Sequence, residues 1–108
     1  CELGCWRGLS AYQIATHLKQ IQQPVNFHIF DSFEGLSEIE TVDTPTDRQQ
    51  DNPVVQKTFA CSQETVENNL SEFPFIRYYK GWIPEKLHEV ENNSFAFVHV
   101  DVDLYQPI

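Results

Sequence analysis

Two carboxylates stand together near the end of the chain, in Asp101-Val102-Asp103, directly after the apolar run that opens at Phe95. In extended backbone, residues two apart point the same way, so both acids can serve one site. Close carboxylates repel unless a cation lies between them or one holds a proton. Hard oxygen donors of this kind suit magnesium, calcium or manganese. A merely solvated loop is the competing account, and the position behind the most hydrophobic stretch of the chain favours the site. A further acid, Asp31, ends the alternating segment Val-Asn-Phe-His-Ile-Phe. It follows Gly4 by 27 residues, somewhat beyond the spacing of about 20 at which an acid can receive both hydroxyls of a ribose. A strand-end Asp that only caps its own turn is the plainer alternative.

The third stretch is Glu2-Leu-Gly-Cys-Trp-Arg-Gly8, with glycines four apart. Such a pair lets the backbone turn sharply and pass close to a ligand. It is not G-x-G-x-x-G, so a pyrophosphate-binding dinucleotide fold is disfavoured; a tight turn needs glycine for steric reasons alone. Trp82, behind Gly81, offers a flat apolar wall to a planar ring or packs under the next helix. Tyr78, Tyr79 and Tyr105 read as structural residues, although Tyr105 lies beside the acidic pair.

The elements that must position these groups are legible from periodicity. Ala11, Ile14, Ala15, Leu18 and Ile21 recur at spacings of three and four and predict an amphipathic helix, with Ser10 as its N-cap and Pro24 beyond its end. Residues 25–30 read as a strand. Residues 37–52 are polar and interrupted by proline, which predicts a loop or lid. A second helix is expected over residues 62–73, with Val66, Leu70 and Phe73 inward. A strand follows over 75–79, then a short helix opening at Pro84 and ending near Val90. The last strand is expected over residues 95–101. Alternation of this kind predicts an α/β fold, a Rossmann-like parallel sheet with helices on both faces. Ligands bind beyond the carboxyl ends of such strands, so all three chemistry-bearing turns should meet at one crevice.

Composition narrows the function. The 108 residues carry a net charge of -9, from 16 acidic against 7 basic side chains. That excess repels phosphate backbones and argues against nucleic acid as a partner. No apolar run is long enough to span a bilayer, and no signal-peptide layout opens the chain. The three cysteines, Cys1, Cys5 and Cys61, are odd in number and form no C-x-x-C, so reduced thiols in a cytoplasmic protein are expected. The four histidines are scattered, which argues against zinc. The chain has no methionine and stops soon after an interior strand of a parallel sheet. A single incomplete domain over residues 1–108 is therefore expected, from the end of a first strand through a fourth.

Taken in order, Glu-Leu-Gly-Cys-Trp-Arg-Gly-Leu-Ser, Phe-Asp-Ser-Phe-Glu-Gly-Leu, Lys-Gly-Trp-Ile-Pro-Glu-Lys-Leu and His-Val-Asp-Val-Asp-Leu-Tyr resemble the macrocin O-methyltransferase family. The resemblance runs the length of the chain and is most specific at residues 30–36 and 101–105. It implies a class I enzyme using S-adenosylmethionine, many of whose relatives methylate sugar hydroxyls of natural products or polysaccharides. It implies that Glu2, Gly4 and Gly8 belong to the first cofactor motif, with Arg7 and Ser10 near the methionine moiety. Asp31 would bind the ribose, with Ser32 and Phe33 beside it, and Gly81 and Trp82 would lie near the adenine or the substrate entrance. Asp101 would ligate a divalent metal, usually magnesium, and Asp103, also at the metal, would be the general base. Many members have glycine between the two acids, where this chain has Val102. The family completes its metal site with a downstream acidic pair that is not in this sequence, so the piece alone is expected to be inactive or nearly so. The expected partner is a small-molecule or glycan acceptor, with homo-oligomerisation left open. Two other classes stay in view: a manganese-dependent nucleotide-sugar glycosyltransferase, which explains the Asp-x-Asp but not the glycine turn, and a non-catalytic cofactor-binding module.

Overall fold

In the computed structural model of the chain, residues 1–22, 25–36 and 58–103 are described. The expected lid over residues 37–52 lies outside them, as does Tyr105. Strand β1 is Glu2–Leu3. The chain then turns through Gly8, whose φ of 85° lies in the left-handed region, into helix α1, Leu9–Gln20. Gly8 is itself the N-cap and no side chain caps this helix, so Ser10 lies inside the first turn rather than at the cap. The glycine makes the reversal with its backbone, which removes the need for a capping hydroxyl. Helix α1 buries Ala11 and Ala15 completely, with Ile14 and Leu18 packed partly in, as the spacing predicts.

Strand β2, Phe27–Asp31, starts two residues later than expected and includes the acid at its end. Helix α2, Gln63–Asn69, is capped by Ser62, whose Oγ accepts from Thr65 N at 3.2 Å. It ends earlier than the periodicity predicts. Phe73 still reaches the core, because the chain continues in turns, with Phe73 N donating to Leu70 O at 3.0 Å. Pro74 disfavours helical geometry at Phe73 and so bars the chain from resuming the helix there. Strand β3 is Ile76–Lys80. Helix α3, Ile83–Lys86, opens one residue ahead of Pro84 and tightens into a 3-10 turn over Leu87–Val90. Strand β4 is His99–Val100, much shorter than the expected run of residues 95–101. Its only neighbour among the described residues is β1, itself two residues long. Even so, hydrogen bonds from Cys1 N to Phe97 O, His99 N to Cys1 O and Asp101 N to Leu3 O carry the pairing beyond the two assigned residues.

All four strands are parallel and lie in the order β3-β2-β1-β4. Alternate residues of β2 feed two cores. Phe27 and Ile29 join Ala11, Ala15, Val66, Leu70 and Phe73 on one face. Phe30 meets Ile83, Val90 and Val102 on the other. Helices on both faces are thus what the α/β pattern required. Complete burial of Phe27, Ile29 and Phe30 contributes about 1.5–3 kcal/mol each. The strand order reverses at β1: β2 and β3 extend to one side of it and β4 to the other. In open α/β sheets a crevice forms beyond the carboxyl ends of the strands at such a switch point. Here it falls between the turn after β1 and the turn after β4.

Candidate functional site

The register puts the chemistry in one row. Leu3 pairs with Phe30 and with Val100, and Asp31 with Lys80. Gly4, Asp31 and Asp101 therefore leave the sheet at the same level. Asp31 organises this edge. Its Oδ2 accepts from Cys5 N at 2.8 Å and Trp6 N at 3.2 Å, and its Oδ1 accepts from Phe33 N at 2.7 Å. One carboxylate thus holds the glycine-containing turn and its own turn together. Phe33 sits at φ 58°, an uncommon conformation for a bulky residue. The Asp31 bond fixes it there, and the ring lies buried in the core. Ser32 closes the same turn, donating to Gly35 O at 2.9 Å and accepting from Glu34 N at 3.1 Å.

The two turns at the switch point touch. A Cβ placed on Gly4 would lie 2.1 Å from Asp101 O, so glycine is needed for the close approach. Val102 turns its side chain into the second core. The backbone then swings through the left-handed region at Asp103, φ 59°. Asp101 and Asp103 are both exposed and both line the same cleft. Partial burial, and then the charge of Asp101, push the Asp103 carboxyl above its ordinary value. Among the described residues no group of three or more His, Cys, Asp or Glu could hold a metal.

Beneath the cleft lies Glu2, completely buried. Its Oε1 meets His99 Nδ1 at 2.9 Å, and its Oε2 has no hydrogen-bond partner among the described residues. Burial pushes the carboxyl up; Ser10 and His99 pull it down, and Asp101 adds a smaller upward push. The folded chain therefore holds the Glu2 proton more tightly than the unfolded chain does. Its contribution to stability is greatest below the ordinary carboxyl pKa and is lost as pH rises through the raised folded value. Glu2→Gln should flatten that slope, so the variant gains on the parent as pH rises above the ordinary carboxyl range. Thermal unfolding across that rise checks this, and parallel curves for the two proteins would refute it.

The cleft has a volume of about 330 Å³. Of the residues expected to form the site, Gly4, Ser10, Asp31, Ser32, Trp82, Asp101 and Asp103 line it. The others lie off its surface. Glu2 is below, Gly8 packs against Leu70 and Val66, Phe33 is in the core, and Gly81 precedes the lining. Arg7 is exposed, its guanidinium carbon 4.8 Å from the Trp6 ring centroid. Sequence reasoning missed Cys5, Trp6, Leu9 and Phe59 as lining residues. Leu9 had a signal, an apolar residue off the core face of α1. Phe59 had none. The thiols of Cys1, Cys5 and Cys61 are free. Burial and Asp31 push the Cys5 thiol far up, so it is inert as a nucleophile.

A parallel sheet reversing at β1, with a glycine turn and an Asp-x-Asp on its switch point, marks a ligand-binding α/β domain. The family model for macrocin O-methyltransferases (TylF) matches residues 1–108, and the chain belongs to that family. Comparison with curated protein sequences found no match. Among solved structures, the O-methyltransferase NovP superposes with a TM-score of 0.78 at 23% identity, covering 98% of this chain and 46% of that one. The calicheamicin methyltransferase CalS11 superposes with a TM-score of 0.69 at 22% identity, covering 98% and 47%. These likenesses establish the Rossmann-like fold. The chain spans just under half the length of either structure.

Proposed function

We propose that this chain carries the cofactor half of an S-adenosylmethionine-dependent O-methyltransferase acting on a sugar hydroxyl of a small molecule or glycan. The observation that carries this reading is the contact of the Gly4 turn with Asp101 at the switch point, which joins a cofactor cradle to a pair of carboxylates. The cleft volume is in the range of small-molecule sites. Its composition suits the cofactor, with flat apolar side chains at Trp6 and Trp82 and carboxylates near the place of a sulfonium.

S-adenosylmethionine supplies a methyl group on a positively charged sulfur, which keeps the bonding pair when the methyl moves to oxygen. Asp31 keeps the cradle in shape and has one Oδ1 lone pair left for a ribose hydroxyl, since three of its acceptor positions are taken by backbone N–H groups. Asp103 is the proposed base for the acceptor hydroxyl. A carboxyl above its ordinary value is a stronger proton acceptor than a free aspartate. Asp101, with Asp103, would give oxygen ligands to a divalent cation such as magnesium. Two carboxylates leave most of six positions to water or to residues beyond those described.

No helix among the described residues is long and apolar enough to cross a membrane. A cytoplasmic enzyme with a soluble acceptor is consistent with that and with the free thiols.

Calorimetric titration of S-adenosylhomocysteine into the full-length protein, with and without magnesium, tests the proposal. Saturable binding is expected. Absence of binding to a folded protein, with a uridine diphosphate sugar and manganese binding instead, would return the Asp-x-Asp to a glycosyltransferase.

A further inference from the structure

Strand β4 delivers Asp101 to the crevice, yet little in its own packing fixes where it sits. It pairs with β1 on one edge, and among the described residues no strand flanks the other. Phe97, Val98 and Val100 are exposed, so burial contributes little to its placement. The backbone bonds along a parallel edge repeat every two residues, so a strand slipped by two would keep them. Side chains must therefore choose the register. The choice matters, because a Cβ on Gly4 would lie 2.1 Å from Asp101 O and leaves no room for error there.

The side chains that choose are Glu2 and His99, which are register partners. Glu2 also pairs with Ile29, a member of the core under α1, so Glu2 and His99 lie on that face of the sheet. The Glu2 carboxyl is completely buried, with Oε1 2.9 Å from His99 Nδ1. A slip of two residues would put Phe97 or Asp101 opposite it. The first is an apolar ring that leaves a buried carboxyl unpaired, and the second is another carboxylate that repels it. Only the observed register gives Glu2 a nitrogen partner. Asp101 lies one strand repeat beyond His99, with its N–H donating to Leu3 O at 2.9 Å, so no turn intervenes to absorb a displacement.

We infer that His99 is a positioning residue: its bond to Glu2 sets the register of β4 on β1 and so holds Asp101 where it can share a divalent cation with Asp103. The inference rests on the methyltransferase reading and adds to it a residue that does not itself line the cleft.

The test compares His99→Asn and His99→Leu in the full-length protein. Asparagine carries an N–H near the place of the histidine Nδ1 and can keep the bond, whereas leucine is of similar bulk and cannot. Should His99→Leu not fold, His99→Gln, whose N–H lies further out, takes its place. Calorimetry gives the affinities for manganese and for S-adenosylhomocysteine. Hydrogen exchange follows the Asp101 amide and, on the far side of the sheet, the Gly81 amide, which donates to Asp31 O. His99→Leu should weaken manganese about tenfold, change S-adenosylhomocysteine by less than about threefold, and speed exchange at Asp101 but not at Gly81. His99→Asn should stay within about threefold of the parent in both affinities. Manganese binding unchanged in His99→Leu overturns the inference, as does equal acceleration of both amides, which marks a loss of general stability. So does an asparagine variant as impaired as the leucine one, or a parent that binds S-adenosylhomocysteine but no manganese. In each of those cases the methyltransferase reading survives. If a folded parent binds neither ligand, both readings fall together.

Discussion

Cofactor binding is expected to be lost when Asp31 is replaced by alanine, and the loss should come mainly from collapse of the turn rather than from one missing ligand contact. Three backbone donors, on Cys5, Trp6 and Phe33, would lose a charged acceptor at once. A hydrogen bond to a charged group contributes about 1.5–3 kcal/mol, and the three act as a unit and will not add fully. A drop in stability of about 3 kcal/mol is expected, together with at least about a 100-fold loss of affinity for S-adenosylhomocysteine. Asp31→Asn keeps one acceptor oxygen and should fall between variant and parent. Hydrogen exchange separates the two causes: the amides of Cys5 and Trp6 should exchange faster in Asp31→Ala even without ligand. Unchanged exchange there, alongside lost binding, would mean that Asp31 acts on the ligand alone.

Gly4→Ala is expected to be the most damaging single methyl in the molecule. The added Cβ would sit 2.1 Å from Asp101 O and 3.0 Å from Asp101 C, and neither backbone atom can rotate away. The left-handed φ of 82° adds about 1–2 kcal/mol on top of that clash. Gly8→Ala has a similar φ of 85°, but its Cβ would meet the Leu70 Cδ1 at 3.3 Å, the movable end of a side chain. The expected order is therefore a loss of about 4 kcal/mol or more, or failure to fold, for Gly4→Ala, and about 1–2 kcal/mol for Gly8→Ala. Denaturant unfolding of both variants checks the order. A Gly4→Ala protein as stable as Gly8→Ala would show that the Asp101 loop is not held against the glycine turn.

Much of the fold follows from local pattern. The three-and-four spacing of Ala11, Ile14, Ala15 and Leu18 marks the buried face of α1, and the alternation ending at Asp31 marks β2. What was not legible depends on partners distant in sequence. The run opening at Phe95 reads as a full strand, yet Phe97, Val98 and Val100 are exposed, since β1 is the one neighbour that β4 has among the described residues. Ser10 has the chemistry of a cap, but Gly8 turns the chain first. The same limit governs the site. Asp31 was readable as an acid at a strand end, whereas its three backbone donors were not, two of them coming from a turn more than twenty residues earlier. Glu2 and Phe33 carry motif residue types but face inward, because orientation at a strand end depends on which neighbours flank it. Phe59 joins the cleft from a stretch without periodicity, so no local signal could have found it.

The place of β1 between β2 and β4 also bears on how the protein is made. The bond from Glu2 to His99 joins residues 97 apart in sequence. A ribosome adding about 5–20 residues per second leaves the second edge of β1 open for several seconds after its first residues emerge. During that interval Glu2 remains hydrated and can form neither its buried contact nor the switch-point crevice. Early βαβ pairing of β1, β2 and β3 can proceed from nearby chain, whereas closing the site waits for the most distant pairing in the sheet, the slowest kind to form. The nascent chain therefore acquires its scaffold well before its binding site, and factors that shield open strand edges should act on it in that window.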